Sequence, residues 1–281
     1  MRPLSIAALQ TSPVFGDPDA TLRRMGERVA RLRGVVPHVR LVMFPELHLP
    51  ALPPPLEPHA DPATLAVDVP GPLTDELAEI ARANGVWLVP GSVYERADDG
   101  RVHNTALVLS PEGELTASYR KVFPWQPHES SAPGDRFVTF DVPEVGRLGL
   151  SICYDGSFPE TCRELAWMGA EAVLQVSLTT TSDRPQEIVM ARANAIFNQL
   201  YVVSLNAGSP AGLGRSVIVD PEGLVRLQAG DGEELLTDVL DLDAVTRVRE
   251  YGTGGVSRLW DQATRTGVCA RQPRQGDGAG E

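Results

Sequence analysis

The chain has 281 residues, 42% of them hydrophobic and 22% charged, enough apolar material for a sizeable core and a length that fits one large α/β domain or two small ones. A formal net charge of −12 with scattered arginines argues against nucleic acid or an anionic membrane surface as partner, because binding phosphate needs clustered cations. No apolar run approaches the ~20 residues of a membrane span, and Leu4 to Leu9 is too short for a signal-peptide core.

That first run reads as a strand. Asp17-Pro18 then caps a helix with Leu22, Met25, Val29 and Leu32 at helical spacing and Gly34 as terminator. Leu41 to Phe44 is a short buried strand, and the proline-rich Pro50 to Pro58 a loop beside Glu46. Thr74 to Ala83 reads as a helix ending at Gly85, and Val86 to Tyr94 as one strand. Val102 to Leu109 and Glu114 to Val122 form strands joined by the turn Pro111-Glu112-Gly113. A long loop leads to Phe137. Arg147 to Cys153 is a strand, Pro159 to Met168 a helix, Ala172 to Val176 a strand and Asp183 to Asn198 a long helix. Tyr201 to Leu205, Ser216 to Val219 and Leu224 to Gln228 complete the strands. This mixture fits α/β sheets packed together under outer helices. Nothing splits residues 1–269, whereas 270–281 lack an apolar pattern and are expected to be disordered.

Among 25 cationic residues only Lys121 is a lysine. A chain that uses arginine wherever a cation is wanted, yet keeps one lysine, points to a need for a compact ammonium there. Cys153 lies where a strand turns sharply towards a helix, which exposes the thiol and aims backbone N–H groups at it. The other cysteines, Cys162 and Cys269, read as structural or incidental. Three widely spaced cysteines make neither a disulfide framework nor a metal motif, so a reducing compartment, the cytoplasm, is expected. None of the five histidines stands in a setting that marks a base or a metal ligand, and no metal or cofactor is expected. Carboxylates offer a better base: Glu46 follows a strand end, where burial would raise its pKa, and Glu129 lies in the loop after Lys121. Taken singly, each position also has an ordinary reading, a buried structural cysteine or a solvated loop glutamate.

Together, Phe44-Pro45-Glu46, Tyr119-Arg120-Lys121 and Ser151-Ile152-Cys153-Tyr154-Asp155, in that order, resemble the nitrilase (carbon-nitrogen hydrolase) superfamily from about Leu4 to Glu250. The resemblance implies an αββα sandwich, with Glu46 as general base, Lys121 stabilising an oxyanion and Cys153 forming a thioester. It also implies a homodimer or higher homo-oligomer. The loop Lys121 to Glu129 and Asp155-Gly156 look like the aliphatic amidase and formamidase branch. That similarity makes Glu129 a second glutamate that orients the substrate amide and supports the lysine, and places Trp125, Tyr154 and Asp155 on the oxyanion and substrate side. Leu47 stands where those amidases carry tyrosine, His48 to Pro55 lacks the usual glycine of that loop, and Ser177 to Thr181 lacks that branch's aromatic residues. The expected reaction is hydrolysis of a small amide without cofactor. Alternatives are nitrile or N-carbamoyl and β-ureido hydrolysis, acyl transfer, or a non-catalytic scaffold. An amide is expected over a nitrile, because a nitrile offers Glu129 no N–H.

Overall fold

The computed structural model describes residues 1–52 and 61–266. β1 (Pro3–Gln10), α1 (Pro18–Val35) and β2 (Leu41–Met43) open the chain, followed by the short α2 (Pro62–Leu65) and α3 (Pro72–Asn84). Strands β3 (Trp87–Val89), β4 (Ser92–Arg96), β5 (Val102–Leu109) and β6 (Leu115–Arg120) finish the first sheet but for one strand. The second half runs through β7 (Thr139–Val142), β8 (Gly146–Ile152), a 3-10 turn (Cys153–Ser157), α4 (Pro159–Trp167) and β9 (Ala172–Ser177). It continues with α5 (Arg184–Asn198), β10 (Tyr201–Asn206), β11 (Val217–Val219), β12 (Val225–Gln228), β13 (Glu234–Asp241), α6 (Leu242–Tyr251) and α7 (Leu259–Arg265).

Among the described residues the strands form two sheets, ordered β13-β1-β2-β3-β5-β4, with β6 also on β5, and β12-β11-β10-β9-β8-β7. Both are mixed: β1, β2 and β3 are parallel in one, β8, β9 and β10 in the other, and the flanking pairs are antiparallel. Side-chain alternation decides the layering. Leu4, Ile6 and Ala8 of β1 meet Leu148, Leu150 and Ile152 of β8 and Leu174 of β9 in one core between the sheets. The intervening Ala7 and Leu9 pack outward with Met25 and Val29 of α1 and Leu77 of α3. On the far side Val173 and Val202 pack with Leu165 of α4 and Ala191 of α5. Two faces buried on every central strand require two helix layers, and the αββα sandwich expected from the motifs is the architecture found.

Several boundaries differ from the sequence reading. Val86 to Tyr94 is two strands, broken at Pro90-Gly91, where the Gly91 backbone lies so close to Pro45 that a Cβ would sit 1.8 Å from its carbonyl oxygen. Helix α1 runs past Gly34 to Val35. β7, β13, α6 and α7 were not anticipated. β13 is acidic and half-exposed, so its apolar alternation is faint, yet it pairs with β1 from Pro3↔Asp241 to Gln10↔Glu234. Of the loop Pro50 to Pro58, only Pro50 to Leu52 are described; its remainder, Cys269 and the tail from Ala270 lie outside the described residues. No helix of the described residues is long and apolar enough to cross a membrane.

Candidate active site

Cys153 is the first residue after β8 and has φ +45°, a left-handed conformation that costs a non-glycine residue about 1–3 kcal/mol and is kept only where neighbours impose it. Asp155 imposes it from one side. Its Oδ2 accepts from Ile152 N at 3.0 Å and from the Tyr119 hydroxyl at 2.8 Å, and its Oδ1 from Phe123 N at 2.9 Å. Gln175 of β9 holds the other side, donating to the Cys153 carbonyl at 2.8 Å. Gly156 makes room for it, since a Cβ there would lie 2.1 Å from Gln175 Nε2.

Glu46 is delivered by β2. Phe44 N bonds Val89 O at 2.8 Å and Leu47 N bonds the Ser92 hydroxyl at 3.1 Å, so the backbone is pinned on both sides of the carboxylate. Lys121 extends β6, with its N–H on Asn104 O at 2.8 Å and its carbonyl accepting from Gly134 N at 2.7 Å. The lysine is 1% exposed and Glu46 4%. Lys121 Nζ lies 2.6 Å from Glu129 Oε2 and 3.2 Å from Glu46 Oε1. Asn104 ties the carboxylates together, its one amide nitrogen donating to Glu46 Oε1 at 2.8 Å and to Glu129 Oε1 at 3.1 Å. Leu178 N reaches Glu46 Oε2 at 2.8 Å from beyond β9.

Burial pushes the Glu46 carboxyl up, against the pull of Lys121. Burial alone would favour a neutral Lys121, yet the charge of Glu46, that of the Cys153 sulfur once ionised, and the charge and hydrogen bond of Glu129 hold its pKa well above the usual value. Glu129 is likewise desolvated, but the ammonium keeps it below the ordinary carboxylate range. The Cys153 thiol is raised well above its ordinary value by burial and by Glu46, so the resting sulfur carries its proton at neutral pH. A protonated thiol, a carboxylate of raised proton affinity and a fixed ammonium can together move a proton and stabilise a developing oxyanion.

The expected residues are thus brought together, with different emphasis for three. Glu129 accepts from Lys121, Asn104, the Ser131 hydroxyl at 2.8 Å and Trp125 N at 3.0 Å, which fills the roughly four acceptor sites of a carboxylate. Its geometry suits bracing the lysine; no acceptor is left over for a substrate nitrogen, and the argument from it against nitriles loses its basis. Asp155, expected on the substrate side, is fully buried with both oxygens on protein donors, and it acts as the brace of the cysteine turn. The Trp125 indole is 37% exposed and rests on His128 at 4.3 Å; its contact with Glu129 is through the backbone. Tyr154 lies in the 3-10 turn beside the sulfur, its ring edge-on to Phe158. Sequence reasoning missed Asn104 and Gln175. Their signal was an amide side chain in the middle of an apolar strand, fully buried for Asn104.

A small cleft beside Glu46 is lined by Pro13, Leu47, His48, Leu52, Leu178 and Ala207, an apolar wall with a single imidazole. A roomier cleft around Glu95, Ser118, Arg120 and Asp135 holds no cysteine, lysine or histidine, and its Arg120 is already paired with Glu95.

The carbon-nitrogen hydrolase family model matches residues 5–250, and the chain belongs to that family. It is an enzyme of the class that hydrolyses non-peptide carbon-nitrogen bonds. Among particular relatives, omega-amidase NIT2 of Mus musculus is 31% identical over 201 residues, 66% of this chain and 72% of that protein. A formamidase of Bacillus cereus (strain Q1) is 31% identical over 73% of this chain, which spans 64% of the formamidase, just under two thirds. Nit3 of Saccharomyces cerevisiae, a nitrilase-superfamily member, superposes with TM-score 0.80 at 28% identity, covering 89% of this chain and 94% of Nit3. The amidase of Nesterenkonia sp. AN1, in a mutant with the acetamide moiety of fluoroacetamide added covalently at its active-site cysteine, gives TM-score 0.75 at 26% identity over 87% and 92% of the two chains.

Proposed function

We propose that this protein hydrolyses a small amide through a thioester on Cys153. The observation that carries the reading is the Lys121 ammonium, 1% exposed, held between Glu46 and Glu129 at a strained cysteine turn. An ammonium so fixed has no structural need that an arginine could not meet at the surface, whereas it suits an oxyanion. The amidase and formamidase relatives support amide hydrolysis, and the Nesterenkonia amidase's active-site cysteine, which carries the acetamide moiety of fluoroacetamide, supports a cysteine as the nucleophile.

Glu46 takes the Cys153 proton as the thiolate attacks the carbonyl carbon. The carbonyl oxygen becomes an oxyanion facing Lys121 Nζ and the Tyr154 backbone N–H. As the tetrahedral adduct collapses, the carbon-nitrogen bond breaks and Glu46 returns its proton to the leaving nitrogen, releasing ammonia or an amine. Water then attacks the thioester, giving its proton to Glu46, and collapse of that adduct frees the carboxylic acid and restores the thiol.

A panel of short amides, nitriles and N-carbamoyl amino acids, with ammonia and acid both quantified, tests this. Turnover of amides is expected, with hydroxamate formed when hydroxylamine competes with water for the thioester. Cys153→Ala should abolish both, Cys153→Ser nearly so, and Cys162→Ala should retain most activity, because that thiol is buried and pushed up to about 12. Nitrile turnover without amide turnover, or full activity of folded Cys153→Ala, would overturn the reading.

A further inference from the structure

Beside Cys153 lies a second polar arm that none of the steps above uses. Thr179 Oγ1 is 4.0 Å from Cys153 Sγ and within 2.9 and 2.8 Å of the two Glu187 oxygens. Thr179 is clamped: its N–H donates to Asn206 Oδ1 at 2.8 Å, and Asn206 Nδ2 donates back to its carbonyl at 3.3 Å. Glu187 stands in the first turn of α5 and pairs with Arg184 Nη1 at 2.8 Å. That guanidinium is fully buried, and its remaining donors end on Gly214 O, Ser204 and Arg215 O at 3.1 to 3.4 Å. Burying an ion pair costs desolvation that its own attraction often fails to offset, so a pair placed beside a nucleophile calls for a function.

We propose that Thr179 and Glu187 are positioning residues for the nucleophile, which orient the Cys153 sulfur and keep it a thiol until substrate arrives. The inference rests on the reading of Cys153 as nucleophile. An ion-paired carboxylate only accepts hydrogen bonds, so the single Thr179 hydroxyl proton goes to Glu187. The hydroxyl then turns a lone pair towards the sulfur and can accept only from S–H. Charge acts in the same direction. The sulfur faces Glu46 from the end of β2 and Glu187 from α5, against Lys121, whose charge Glu129 also shares, and the Leu178 backbone N–H. A thiolate is therefore opposed at rest, and ionisation is deferred to the moment when a carbonyl carbon is there to receive the sulfur and Glu46 the proton.

The test measures alkylation of Cys153 by iodoacetamide against pH, located by peptide mass spectrometry, which needs no substrate. It is paired with steady-state kinetics on the best amide of the panel. Glu187→Gln should move the alkylation midpoint down by ~0.5–1 pH unit and speed alkylation several-fold at pH 7, since it removes a negative charge beside the sulfur. Thr179→Val leaves the Glu187–Arg184 pair in place, and should lower kcat about tenfold with KM within about twofold. Thr179→Ser, which keeps the hydroxyl, should restore most of that kcat. Retention of the wild-type midpoint by both Glu187→Gln and Thr179→Val, or of wild-type kcat by Thr179→Val, overturns the inference while leaving the nucleophile in place. Turnover by folded Cys153→Ala overturns the nucleophile itself.

Discussion

Tyr119 gives its phenolic proton to Asp155 Oδ2 at 2.8 Å, and with Phe123 N on Asp155 Oδ1 and Leu178 N on Glu46 Oε2 this hydrogen bond joins the two halves of the site. Tyr119 is two residues before Lys121 on the first sheet; Asp155 is two residues after Cys153, in the 3-10 turn that follows β8 of the second. Both are fully buried, so the bond is formed across the sandwich, out of water. Tyr119→Phe should cost about 1–3 kcal/mol, the range for leaving a buried acceptor short of a donor. It should also reduce kcat by about tenfold or more, because the cysteine turn loses a tie to the lysine strand. Thermal melting and steady-state rates check this. A variant that loses stability but keeps full kcat would show that the tie is structural only.

Lys121→Arg should lose about 10²–10³ in kcat although the charge is retained. Glu129 and Glu46 hold Nζ at 2.6 and 3.2 Å in a site with 1% exposure, a space for a point ammonium and not for a planar fork. Circular dichroism confirms folding and ammonia release gives the rate; activity within a few-fold of wild type would reduce Lys121 to generic charge.

Asn104→Asp replaces the nitrogen that bonds both glutamates by an oxygen, at nearly constant shape. Glu46 and Glu129 then lose a shared donor and gain a like charge, which raises the proton affinity of a Glu46 carboxyl already pushed up by burial. Glu46 must be ionised to take the thiol proton. The acid limb of kcat/KM against pH should therefore shift to higher pH, with a fall in the maximum. An unshifted acid limb would separate Asn104 from the base.

Acid stability is expected to depend on Glu233, which accepts from Ser12 N and Thr11 and faces Arg28 where β13 meets the end of β1. Although burial acts to raise its pKa, the hydrogen bonds to Ser12, Arg28 and Thr11 hold the carboxyl down at about 2, against an ordinary 4.5. A folded-state pKa below the unfolded one contributes stability that is present above pH 4.5 and lost as pH falls towards 2. Glu233→Gln should be less stable than wild type at neutral pH, and the gap should close through that window in urea melts. A gap that stays constant with pH would remove the ionised carboxylate as its cause.

What the sequence determined by itself was local or written into motif order. Near-continuous apolar runs in β1, β8 and β9 and the capped helices fix the elements, because a central strand buried on both faces shows as a short unbroken apolar run. The lone lysine and the cysteine at a strand-to-helix turn were legible for the same reason: their residue type conflicts with their surroundings. β13 was not legible, since half its residues face water and its place beside β1, more than 220 residues away in the chain, is a tertiary fact. The division of labour among the acids was also decided only in three dimensions. A carboxylate next to a cysteine in sequence looks like a substrate ligand, but folding turns Asp155 away onto Ile152, Phe123 and Tyr119. Asn104, 17 residues before Lys121, meets it through strand pairing of β5 and β6 and so comes to bridge Glu46 and Glu129. Hydrogen-bond capacity is spent on whichever donors the fold brings within 3 Å, and that inventory is a property of the packed sandwich.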